Sequence, residues 1–160
     1  MKNMGNKIIK TQDIVGIRNE LKKNEKKIVF SNGYYDPLHI GHMKQFREAK
    51  KLGDVLIVGI NSDSSVRANK GMNRPYMNED ERAEIVSSLS FVDYVVIFSE
   101  LTPINILNML QPDILVKGNN YSLNEVVGKD IVESHGGKVV LLPMVDGMSS
   151  DKILDSMGLK

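Results

Sequence analysis

The sequence predicts an α/β fold: an open parallel sheet of about five strands with helices on both faces, in a single domain. Short runs rich in β-branched and aromatic residues alternate with amphipathic helical stretches along the chain. Turn and loop residues fall just beyond the ends of those runs. A length of 160 residues is one domain's worth and buries a core without staples. The expected domain spans 1–160, with 1–26 as a helical N-terminal extension and 27–160 as the α/β core.

Gln12 to Lys23 carries the first helical pattern. Lys27 to Ser31 is a β-rich run that stops at the turn pair Asn32-Gly33. Asp36 before Pro37 reads as a helix N-cap with proline in the first helical position, and the helix runs from Leu38 to Lys51, ending before Gly53. Strands follow at Asp54 to Ile60, Tyr94 to Phe98, Ile114 to Lys117 and Lys138 to Leu142, with helices at Glu79 to Leu89, Pro103 to Leu110, Leu123 to Ser134 and Ser150 to Met157. Ligands of open parallel sheets bind beyond the carboxyl ends of the strands, near a switch in strand order. The chain's most informative residues sit at such ends: Asn32-Gly33, Asn61-Ser62-Asp63 and Lys117 to Tyr121.

Composition narrows the function. With 21 basic and 20 acidic residues the chain has a net charge of +1, which offers no basic footprint for bulk nucleic acid and suits a small phosphorylated ligand. It has no cysteine, which excludes disulfides and a thiolate nucleophile or metal cluster. No apolar run approaches a membrane span, and Met1 to Lys10 lacks a signal-peptide core, so the expectation is a cytoplasmic protein.

Ser31 to His42 holds two of the three histidines, straight after a strand and at a helix start. Spaced i, i+3, His39 and His42 share one face of the helix near its N-terminus. Free backbone N–H groups and the positive dipole end point the same way and favour an anion. Gly41 between them lets a bulky phosphate approach the backbone. Lys70 and Arg74, in a loop punctuated by Gly71 and Pro75, read as clamps for phosphates. His135, before Gly136-Gly137, reads as a helix C-terminal histidine and the nine methionines as core filler.

The segment resembles the nucleotidyltransferase superfamily motif of aromatic-Asp, two residues, then H-x-G-H. Over nearly its full length the chain resembles the cytidylyltransferase-like, Rossmann-like nucleotidyltransferases. It is most similar to the domain that adenylates D-glycero-β-D-manno-heptose 1-phosphate. The pieces that carry this are Ser31 to His42, Asn61 to Val66, Lys70-Gly71-Met72-Asn73-Arg74-Pro75, Asp80 to Ala83, Val92 to Phe98, Leu101-Thr102-Pro103, Pro112 to Gly118 and Gly136 to Val140. Two pieces depart: Lys117-Gly118-Asn119-Asn120-Tyr121 stands where the family has Lys-Gly-Gly-Asp-Tyr, and Gly147-Met148-Ser149-Ser150-Asp151 where it has Gly-x-Ser-Thr-Thr. Asp151 therefore puts a carboxylate beside the expected phosphates unless it only caps the last helix.

The resemblance implies transfer of AMP from ATP to a sugar 1-phosphate, with Mg²⁺ bridging triphosphate oxygens through few protein ligands. The acceptor phosphate is already largely dianionic at neutral pH, so no general base is required. His39 and His42 would contact the triphosphate, with the backbone of Asn32, Gly33, Tyr34, Tyr35 and Gly41 forming its cradle. The side chains of Tyr34 and Tyr35 either join that cradle or pack on the sheet. Lys117, Gly118, Asn120 and Tyr121, with Gly147, Ser149 and Ser150, would hold base and ribose, and the serines would supply hydroxyl donors. Asp36, Lys44, Asn61, Asp63 and Arg82 are candidates for the acceptor, although Lys44 also reads as a surface lysine and Arg82 as a partner of Glu79 or Asp80. No protein metal ligand is assigned, and the expected assembly is a homodimer. Two alternatives stand: nucleotidyl transfer to glycerol 3-phosphate, another polyol phosphate or flavin mononucleotide, and a nucleotide-binding module without turnover. The H-x-G-H element also occurs in class I aminoacyl-tRNA synthetases, but this length and charge leave no tRNA-binding domain.

Overall fold

The computed structural model describes residues 6–159. Its strands are β1 (Ile8–Ile9), β2 (Ile28–Gly33), β3 (Val55–Asn61), β4 (Tyr94–Phe98), β5 (Ile114–Gly118) and β6 (Lys138–Leu142). They form one sheet in the order β1-β4-β3-β2-β5-β6, every neighbouring pair parallel. Among the described residues there are seven α-helices: α1 (Ile14–Lys23), α2 (Ile40–Lys50), α3 (Asp63–Lys70), α4 (Glu79–Ser87), α5 (Ile104–Leu110), α6 (Lys129–Ser134) and α7 (Ser150–Ser156). None is long and apolar enough to cross a membrane.

β3 is buried at all seven positions, as a central parallel strand covered on both faces must be. Its side chains divide by the two-residue period of a strand. Val55 and Ile57 join Phe30, Ile14, Leu107 and Val132 on the face covered by α1, α5 and α6. Leu56, Val58 and Ile60 join Val29, Phe46, Ala49 and Val86 on the face covered by α2 and α4. Phe30 and Phe46 are fully buried, one on each face. Truncating either to alanine costs about 3–5 kcal/mol.

From β2 the chain steps to β3 and then β4 in one direction, and afterwards to β5 and β6 on the other side of β2. The order therefore switches between β2 and β5. β2 pairs with β3 at six positions but with β5 at only two, Val29 with Ile114 and Phe30 with Leu115. Past Phe30 the two strands part, and the crevice between their carboxyl ends is the place where such sheets bind ligands.

The sheet has one strand more than expected. β1, inside the stretch read as a purely helical extension, is a two-residue strand held by its pairing with β4; residues 1–5 of that stretch lie outside the described residues. α3 occupies a stretch read as loop, so Lys70 ends a helix and only Arg74 lies in the loop beyond it. The helix expected over Leu123 to Ser134 is divided into a 3-10 turn at Leu123–Glu125 and α6, because Gly128 enters the left-handed region at φ 89°. Asp36 and Pro37 do not start α2, which begins at Ile40 with His39 as its N-cap.

Candidate active site

The two histidines cap α2 reciprocally. Nδ1 of His39 accepts the Gly41 N–H at 3.1 Å, and Nδ1 of His42 accepts the His39 N–H at 3.2 Å. His39 is extended at φ −140°, so it stands just outside the helix, and the two rings stack with centroids 3.8 Å apart. Each Nδ1 is engaged as an acceptor, so in the neutral ring the proton sits on Nε2, free to donate to a ligand. Burial lowers the pKa of His39, and burial together with the neighbouring His39 lowers that of His42 to about 3. Gly41 makes the stack possible, since a Cβ there would lie 2.8 Å from Cε1 of His39. The missing side chain thus makes room for an imidazole as well as for a ligand.

Tyr35 settles one open choice of the sequence. Its side chain packs, 4% exposed, with its ring edge-on to His42 and to Phe46. Its backbone is left-handed at φ 51°, strained for an aromatic residue, and its hydroxyl is buried.

Three adjoining cavities surround the end of β2. The first, about 160 Å³, lies over the histidines and the crevice and is lined also by Lys117, Asn120, Met144 and Val145. The second, about 130 Å³, lies between Tyr34, Lys70, Arg74 and the Ser149–Asp151 segment. The third, about 280 Å³, is bounded by Asn61, Thr102, Pro103, Val126 and Val127. His42 and Tyr35 form the wall between the first two, Tyr34 lies between the second and third, and Asn32, Gly33, Lys117 and Tyr121 are common to the first and third. Gly33, Tyr34 and Tyr35, at the tip of β2, each border two of the three.

Lys117 bridges the crevice, donating to Oδ1 of Asn32 at 2.7 Å. Burial without a carboxylate partner lowers its pKa to about 8. Asn119 pins the next loop by accepting the Met144 N–H at 3.1 Å. Met144, 43% exposed, and Met148 line the first cavity. None of the described methionines is fully buried; Met109 packs against the core as expected, whereas Met144 and Met148 face a cavity and are not the core filler expected of them.

Several candidates for ligand contact do other work. Asp36 is fully buried, and its carboxylate accepts from Arg74 Nε at 2.9 Å, Tyr76 N at 2.9 Å and Met77 N at 3.0 Å. It is sealed from solvent with three donors around it, and it aims Arg74. Arg82 is 1% exposed and donates to the carbonyls of Met77, Tyr34 and Asn61 at 3.0, 2.7 and 2.8 Å and to the Asp63 carboxylate at 2.9 Å. It ties the ends of β2 and β3 together, with Asp63 as the partner in place of Glu79 or Asp80. Lys44 is exposed and lines a separate groove with Arg47, Pro143 and Met144. Gly147, at φ 76°, shapes the turn before α7 and lines none of the three cavities. The Ser150 hydroxyl donates to the Pro37 carbonyl at 2.8 Å, so its proton is committed within the protein. His135 is the C-cap of α6, as its position before two glycines suggests.

Met144 and Val145 were passed over in the sequence, although they share with Lys117 to Tyr121 the signal of following a strand end. Thr102 and Pro103 carry the same signal after β4.

The comparisons with known proteins bear on this geometry. A family model described as cytidylyltransferase-like matches residues 30–146, from the middle of β2 past the end of β6. This chain belongs to the cytidylyltransferase-like family. With it the chain belongs to the nucleotidyltransferases. The chain is 50% identical over 151 residues to the bifunctional protein HldE of Geobacter metallireducens, covering 94% of this chain and 31% of that one. It is 50% identical over 134 residues to HldE of Syntrophotalea carbinolica, covering 84% and 27%. It thus spans less than a third of the length of these relatives. Among solved structures, the lipopolysaccharide core biosynthesis protein from Thermoplasma volcanium superposes with a TM-score of 0.62 at 28% identity, over 75% of this chain and 97% of that one. A pantoate-beta-alanine ligase from Francisella tularensis, at 20% identity and a TM-score of 0.61 over 89% of this chain and 70% of that one, shares the fold of this cytidylyltransferase-like chain.

Proposed function

We propose that this chain transfers AMP from ATP to the phosphate of heptose 1-phosphate, releasing pyrophosphate and forming ADP-heptose in the cytoplasm. The observation that carries this reading is the pair of Nε2 donors of His39 and His42 beside the first cavity, His42 also forming its wall with the second, in a chain half identical to HldE proteins over most of its length.

A phosphate oxygen of the sugar phosphate forms a bond to the α-phosphorus of ATP. The bond from that phosphorus to the oxygen bridging to the β-phosphorus breaks, and the electron pair leaves with pyrophosphate. No proton has to be removed from the attacking oxygen, which suits a site whose histidines are neutral and whose Nδ1 atoms are engaged. The rings donate Nε2–H to the oxygens on which charge builds. Lys117 faces the triphosphate from across the crevice, and Arg74, held through Nε by Asp36, presents Nη1 to the second cavity.

The nucleotide occupies the first cavity, where Gly118, Asn120 and Tyr121 meet its base and ribose. The heptose occupies the third, with Asn61 and Thr102 within its walls. Among the described residues no group of three metal-ligating side chains converges, and the buried Asp36 carboxylate is engaged by Arg74, Tyr76 and Met77. These residues suit Mg²⁺ that enters bound to ATP and is held by phosphate oxygens and water. When bound, it neutralises triphosphate charge.

The test is pyrophosphate release by the purified chain with Mg²⁺, each of four nucleoside triphosphates, and either anomer of heptose 1-phosphate or glycerol 3-phosphate. Release with ATP and a heptose 1-phosphate supports the reading. Release only with glycerol 3-phosphate moves the acceptor, and no release with any pair refutes transfer by this chain.

A further inference from the structure

Asp151 neither caps a helix nor joins the core. The N-cap of α7 is Ser149, whose hydroxyl accepts the Lys152 N–H at 3.1 Å. The Asp151 side chain, 49% exposed, turns into the second cavity. There one carboxylate oxygen lies 3.8 Å from Lys70 Nζ and the other 3.4 Å from Arg74 Nη1. These are loose contacts beside the 2.9 Å pair that anchors Arg74 to Asp36.

Four charged residues line this cavity: Lys70, Arg74, Asp36 and Asp151. Asp36 neutralises Arg74 and is buried, so it stays. Asp151 neutralises Lys70 and also touches the one Arg74 nitrogen that Asp36 leaves free. A small anion bridging the two cations would take up the same position as this carboxylate. We propose that Asp151 is a displaceable internal counter-ion, occupying the phosphate position between Lys70 and Arg74 and yielding it when a substrate phosphate arrives. This rests on the proposed function only in treating the second cavity as a phosphate site. Asp151 is then a specificity-tuning residue: it lowers the affinity of the cavity for bare phosphates and returns to Lys70 as product leaves.

The experiment is calorimetric titration of inorganic pyrophosphate, without and with Mg²⁺, into the wild-type chain, Asp151→Asn and Asp151→Glu. Asp151→Asn is expected to bind pyrophosphate about tenfold more tightly at low salt, the scale of two partly exposed ion pairs. The gain should shrink at high salt and in a Lys70→Met background, while Asp151→Glu should match the wild type. In turnover, Asp151→Asn should lower the KM of a phosphate-bearing substrate without raising kcat. Equal affinity in all three proteins, or no binding by any, overturns the proposal. Weaker binding by Asp151→Asn in Mg²⁺ overturns it in favour of a metal-ligand role. The titration needs no turnover, so inactivity with every substrate pair would refute the proposed function and leave this result to stand or fall by itself.

Discussion

Lys117 on β5 donates to Asn32 on β2 at 2.7 Å across the point where the two strands stop pairing. Their backbones part after Phe30 and Leu115, two positions earlier, and this side-chain bridge spans the gap. It places a cation with a lowered pKa where the first and third cavities meet.

A pH dependence follows from that bridge. Lys117 is charged below about 8 and neutral above it, because burial disfavours its ammonium form. Nucleotide affinity should therefore fall as pH rises through 8. Lys117→Arg, which stays charged, should abolish this basic limb, and Lys117→Met should weaken binding at every pH. Equilibrium binding of ATP between pH 7 and 9.5 checks both.

The histidine pair gives a second dependence, with the opposite direction of pH. His42 ionises near 6.5 when unfolded and near 3 in the folded chain, so below 6.5 the unfolded state binds more protons. The contribution is complete above 6.5 and is lost as pH falls towards 3, at roughly 1.4 kcal/mol per pH unit. Urea midpoints should drop between pH 7 and pH 5, and less so in His42→Gln. A ring proton signal of His42 that titrates near pH 6.5 would contradict the engaged Nδ1.

Arg82→Met should destabilise the chain by about 3–5 kcal/mol, because it leaves a half-buried carboxylate and three carbonyls without their donor. Denaturant unfolding measures this. Any loss of activity should accompany loss of folded protein, since Arg82 is sealed from the cavities.

The cations expected near the site separate by their partners. Arg74→Met should raise the KM of a phosphate-bearing substrate by roughly tenfold or more, the cost of removing one charge-assisted donor. Lys44→Ala should leave turnover within about twofold, because Lys44 lies in another groove. Steady-state kinetics of the two variants tests the pair.

The central strands were legible in the sequence because burial on both faces demands near-continuous apolar runs rich in β-branched residues, as in Val55 to Ile60. β1 was not, since two isoleucines acquire strand geometry only by pairing with β4. α3 was missed because it buries only Ser65 and Val66 and shows no apolar stripe. Asp36 looked like the better cap because aspartate caps helices and histidine seldom does. Its carboxylate is instead consumed by Arg74, Tyr76 and Met77, residues about forty positions away whose approach no local pattern encodes. The residue types of the site were readable in the chain, but the division of labour between ligand contact and internal support required the fold.

The most direct test follows the α-phosphorus. With ATP labelled at that position, Mg²⁺ and heptose 1-phosphate, the wild-type chain should pass the label into ADP-heptose in step with pyrophosphate release. His39→Gln and His42→Gln should slow this on the order of a hundredfold, the effect of removing one transition-state donor. Label that stays in ATP, or variants that transfer it at the wild-type rate, would contradict the account.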